Sequence, residues 1–80
     1  MTKYKLKDIK KMYSLIRKYW NTTDTDYLDL SMNIAQSIDK RLWCEIHSLV
    51  TFAVRKHKGV NVLIDALKLF GYEVEDDCEN

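Results

Sequence analysis

Apolar residues return at helical intervals along three stretches of the chain. Leu6, Ile9, Tyr13, Ile16 and Trp20 are spaced 3, 4, 3 and 4 apart, the seam of an amphipathic helix over residues 5–20. Met12, Leu15 and Tyr19 widen that stripe. Lys3, Lys7, Lys10, Lys11, Ser14 and Lys18 fall on the opposite face. The run from Asn21 to Asp26 is wholly polar and rich in cap and turn formers, so it ends the first helix. Within it, Thr23 with Asp26 three residues on has the form of a capping box for a second helix.

That second helix is expected over 26–57. Ala35, Ile38, Leu42, Ile46, Leu49 and Ala53 follow spacings of 3, 4, 4, 3 and 4, with Trp43, Val50 and Val54 beside them. The weakest stretch is Ser37–Lys40, where a kink or break near Asp39 would turn one long helix into two. Arg55, Lys56, His57 and Lys58 suit the negative end of a helix dipole, and Gly59 is expected to supply the left-handed C′ residue. Asn61 is then expected to cap a third helix over 61–70, with Leu63, Ile64, Leu67 and Phe70 inward. Gly71 ends it, Tyr72 and Val74 fold back, and residues 73–80 form an acidic tail. The fold class expected is all-α. It would be a single domain over 1–80, a small three-helix bundle that becomes four-helix if the second helix breaks, with a short acidic C-terminal tail.

Composition supports this. The chain has 80 residues, no proline and two glycines, which is too few turn residues for a β-sandwich or barrel. Hydrophobic residues make up 46% and charged residues 31%, as in ordinary globular proteins. No apolar run is long enough for a membrane span or a secretory signal, so a cytoplasmic location without membrane contact is expected. Two cysteines, Cys44 and Cys78, cannot build a disulfide framework. Cys44 is expected to be a small buried hydrophobe and Cys78 a free thiol.

The chain carries no pattern that specifies catalysis. Cys44, His47, His57 and Cys78 lack the short paired spacings of zinc sites, so no metal and no cofactor is expected. Cys44 beside His47 is an unpromising nucleophile–base pair without an electropositive setting. Asp24 and Asp26 are explained by capping, and two isolated glycines make no phosphate loop. Residues 34–39 look like the opening of a helix-turn-helix, but Asp39 at the turn and Glu45 and Ser48 at packing positions break the pattern. The expectation is that the protein is not an enzyme.

Charge and aromatics point to contact with partners. Successive blocks of twenty residues carry +6, −3, +3 and −5, although the whole is +1. The lysine face of the first helix is either an ordinary solvated face or a nonspecific phosphate-binding surface. Its poverty in arginine argues against reading base sequence. The acidic tail could also pair loosely with this basic helix. Tyr13, Trp20 and Trp43 lie on apolar stripes and are expected in the core, whereas Tyr4, Tyr19, Tyr27, Phe52 and Tyr72 fall at stripe edges or element ends. Phe52 stands out. It shares a helical face with Cys44, Glu45, Ser48 and Arg41, away from Ile46 and Val50, and would mark a dimer or partner contact.

The composition, rich in Lys, Asp, Leu, Ile and Tyr, resembles that of small accessory proteins of AT-rich bacteria and their phages. The function expected is a non-enzymatic inhibitor or regulator acting by protein–protein contact, of a phage- or mobile-element type akin to anti-CRISPR or host-takeover proteins. Its partner-binding candidates are Lys3, Lys7, Lys10, Lys11, Lys18, Phe52 and Tyr72. The alternative is a nucleic-acid-binding module using the first helix, and a homodimer through the second helix is a further option.

Overall fold

A computed structural model describes residues 3–75. A three-residue strand β1 (Lys3–Lys5) leads directly into α1 (Leu6–Thr22), followed by α2 (Thr25–Ile38), α3 (Trp43–Arg55), α4 (Val60–Leu69) and a second short strand β2 (Glu73–Glu75). The chain is thus a small four-helix, all-α bundle with one minimal strand pair. Its radius of gyration, 11.7 Å, is what a compact globule of this length should have.

The single long helix expected over 26–57 is broken at Asp39, and the cause is the Asp39 carboxylate. Its Oδ1 accepts the backbone N–H of Arg41 at 2.8 Å and of Leu42 at 3.0 Å. Asp39 itself is extended, at φ −149° and ψ 109°. A short polar side chain that can bond nearby N–H groups offers the backbone an alternative to continuing the helix. The break lets α2 and α3 fold against each other, and each also packs on α1.

The caps differ in detail from the sequence expectation. Asp24, not Thr23, is the N-cap of α2, its Oδ1 accepting the Asp26 N–H at 3.0 Å. Thr23 instead closes α1 in the left-handed region at φ 59°, an uncommon conformation for a β-branched residue. Gly59 is not the left-handed residue after α3. His57 is, at φ 57°, with His57 N–H bonded to Val54 O and Lys58 N–H to Ala53 O. Gly59 instead serves as the N-cap of α4, a role Asn61 does not take because it lies inside the helix. Gly71 ends α4 as expected, at φ 92°, with Gly71 N–H on Lys68 O and Tyr72 N–H on Leu67 O, the paired bonds of a Schellman motif.

The acidic residues after Gly71 are not all tail. Glu73, Val74 and Glu75 pair in parallel with Lys3, Tyr4 and Lys5, so Lys3 stands opposite Glu73 and Lys5 opposite Glu75. At Lys5 and Glu75 the ladder sets opposite charges side by side, an arrangement that favours pairing. Residues 73–75 of the acidic segment thus meet the chain ahead of the basic helix. Residues 76–80, including Cys78, lie outside the described residues.

The core consists of Tyr4, Ile9, Met12, Ile16, Ala35, Ile46, Val50, Ala53, Val54, Leu63 and Leu67. Tyr4, placed at an element end by the sequence, is fully buried because β1 turns it under Tyr72. Tyr13 and Trp43 are half-buried against the core, but Trp20 is not core; it sits on the last turn of α1, 48% exposed, with the Arg55 guanidinium 5.9 Å from its ring centroid. Cys44 is exposed rather than buried.

The two left-handed caps give opposite predictions. Thr23→Gly should stabilise the fold by about 0.5–1 kcal/mol, since the left-handed penalty removed exceeds the glycine entropy added. Gly71→Ala should destabilise it by about 1 kcal/mol. Urea unfolding of the two variants checks both signs.

Candidate functional site

A surface groove of about 580 Å³ runs along α3. Helical spacing puts Cys44, Ser48 and Phe52 in line on one side of α3, with Glu45 and Leu49 beside them. The far wall comes from the end of α4, where Phe70 and Tyr72 face the same space. A second depression of about 510 Å³ continues past Phe70 and Tyr72 to Asp39, Arg41 and Leu42. The two share a wall and form one surface feature.

Phe52 is 56% and Phe70 67% exposed, so the groove's flanks are aromatic and open to solvent. The Lys56 Nζ sits 5.9 Å from the Phe52 ring centroid. Tyr72 is held from two directions. Its ring meets Tyr4 edge-on, with centroids 5.4 Å apart and planes at 65°. Partial burial, the charge of Glu45 and a hydrogen bond to Glu45 together raise its phenol above the ordinary value, so it stays a protonated donor. Tyr4 behaves alike: burial first, then the Asp39 charge and the hydrogen bond it donates to Asp39 Oδ2 at 3.2 Å, lift its phenol well above the usual range.

The candidate residues divide. Phe52 and Tyr72 come together in the groove. Lys7, Lys10, Lys11 and Lys18 stay exposed along α1 and none lines the groove. Lys18 lies 5.8 Å from the Tyr27 ring centroid, and Lys11 flanks a shallow hollow between α1 and α2 with Leu15 and Leu30. Lys3 is not on the helix but in β1. The groove also recruits Phe70, which the periodicity of the third helix turned inward. Phe70 is the C-cap of α4, and the helical period no longer fixes its direction there. The one signal for this was Gly71 immediately after it.

A second polar constellation lies inside the bundle. Ser31 on α2 is fully buried, its Oγ 3.1 Å from Nε2 of His47 on α3. It resembles half of a nucleophile–base pair, but the serine is closed to substrate, and among the described residues no carboxylate hydrogen-bonds His47 to orient it. Its work is to join two helices. Nor do three or more His, Cys, Asp or Glu side chains gather around any point among the described residues. No helix there is long and apolar enough to cross a membrane.

Searches of family models, curated proteins and solved structures return no match to this chain.

Burial lowers the pKa of His47 below its ordinary 6.5, so the folded protein holds it neutral. Between the lowered and the ordinary value the unfolded chain binds the extra proton, and stability therefore falls as pH drops through that window and is unaffected by this group above it. Denaturant unfolding across pH 7.5 to 5 should show that loss in the wild type, and a smaller loss in His47→Gln.

Proposed function

We propose that this chain is a non-enzymatic interaction protein whose α3–α4 groove seats an apolar helix of a protein partner. The observation that carries this reading is the convergence of Phe52 and Phe70, both more than half exposed, on one groove floored by Leu49. Two large aromatics left in water beside a concave surface mark a binding surface more often than an idle one. The few polar groups there, Glu45, Ser48 and the Tyr72 phenol, would fix orientation rather than supply chemistry.

The shape suits a helix. Cys44 to Phe52 spans about 12 Å of α3, or about two turns, and an amphipathic helix of that length would present its own i, i+3 or i+4 side chains between Phe52 and Phe70. A domain that seats a partner's helix in such a groove acts by occupying that partner's surface, which is how an inhibitor or regulator works. The exposed Lys7, Lys11 and Lys18 favour one second reading, nonspecific phosphate binding along α1.

A photo-crosslinker attached to Cys44 in a Cys78→Ser background distinguishes the two. Capture of a defined polypeptide should be lost in the Phe52→Glu/Phe70→Glu variant and retained when Lys7, Lys11 and Lys18 are changed to Ala. Thermal melting should confirm that both variants fold. Capture that ignores the phenylalanines and disappears with the lysines would contradict the groove reading.

A further inference from the structure

At the end of the molecule where α1 and α3 finish and α4 begins lies another cavity, of about 370 Å³. It shares no lining residue with the groove. Arg17, Trp20 and Asn21 of α1 form one wall, and His57 and Gly59 the other. The volume is at the small end of the range for ligand pockets.

Arg17 gives its lining one fixed positive charge. Arg17 and His57 line it, and Arg55, Lys56 and Lys58 adjoin His57 in the chain. None of these five is in an ion pair among the described residues. The dipole of α3 accounts for Arg55 and Lys56 at its end. It does not account for Arg17, which lies more than a turn before the end of α1, a helix with no basic residue in its last turn.

Two further features give the cavity a polarity and a flat surface. Gly59, which lines the cavity, caps α4 with no side chain, and the N–H groups of Val60 and Asn61, which follow it just outside the lining, have no acceptor among the described residues. The space at Gly59 is open, with no atom within 4 Å of where a Cβ would stand. Tyr13 pins this turn by donating its hydroxyl to the Lys58 carbonyl. Opposite stands the half-exposed indole of Trp20, with the Arg55 guanidinium over its ring, 5.9 Å from the centroid, and the Tyr19 ring edge-on to it at 5.8 Å. Guanidinium groups and free N–H groups suit an oxyanion, and an exposed indole suits a planar base.

We infer that this cavity binds a nucleotide, with its phosphate on Arg17, His57 and the first N–H groups of α4 and its base against Trp20. The site is separate from the protein-binding groove and does not depend on it. The same chemistry is carried by a free nucleotide and by the phosphorylated end of a single strand.

Titration of the full chain with adenosine 5′-monophosphate at low salt, followed by amide and indole N–H resonances, tests this. Val60, Asn61 and the Trp20 indole should shift together, and inorganic phosphate and adenosine alone should each bind more weakly. Arg17→Ala, at an exposed position, should weaken binding by about tenfold or more, while Lys7→Ala/Lys11→Ala should change it little. Trp20→Leu should reduce the monophosphate to the affinity of inorganic phosphate, and Trp20→Phe should restore part of the difference. A 5′-phosphorylated oligothymidine identifies the source: binding tighter than the monophosphate indicates a strand end, and equal or weaker binding a free nucleotide, each in support. The inference is overturned if those resonances stay still, if phosphate and the monophosphate bind equally to the wild type, or if the lysine variant loses as much as Arg17→Ala.

Discussion

The fold turns on how one carboxylate, that of Asp39, spends its lone pairs. On one oxygen it takes the N–H groups of Arg41 and Leu42, which ends α2 and sets the start of α3. On the other it takes the Tyr4 hydroxyl, thirty-five residues away in sequence. A fully buried phenol needs an acceptor, and a carboxylate at the break between two helices provides one. The consequences run outward. With Tyr4 anchored, β1 lies where β2 can pair with it, and β2 holds Tyr72 edge-on to Tyr4 and beside α3. The groove between α3 and the end of α4 is therefore a product of this junction as much as of α3.

Much of the helical architecture was legible, and the reason is burial. Ile9, Ile16, Ile46 and Leu67 recur at the period of a helix that has one face on a core, and all four are buried. Phe52 was legible for the converse reason, since a large apolar residue opposite that stripe has nowhere to hide. What escaped sits where periodicity stops applying. Trp20 and Phe70 are at helix ends, where a stripe continues on paper but the side chains are left 48% and 67% exposed. β1 carried no strand signal because three residues hold their form only through partners seventy positions on. His57 and Thr23 took the left-handed caps because tertiary packing fixed where the helices had to stop, and residue preference yielded.

The same logic separates the two surfaces proposed to bind. α3 runs between them, contributing Phe52 to an apolar groove and leading into His57 at a cationic cavity. α4 links them as well, starting at the cavity with Gly59 and ending at the groove with Phe70. A bundle this small builds one modest core, and both surfaces lie outside it. The basic residues of α1 accordingly divide by position: Arg17 joins the cavity, while Lys7, Lys11 and Lys18 remain on the open face.

The central role of Asp39 is best tested by a double-mutant cycle between Tyr4→Phe and Asp39→Ala, read by denaturant unfolding. The account predicts coupling, with the pair interacting by about 0.5–1.5 kcal/mol, so that the double variant loses less than the sum of the singles. Strict additivity would mean that the buried phenol and the helix break are independent, and that the strand pair and groove wall are held by something else.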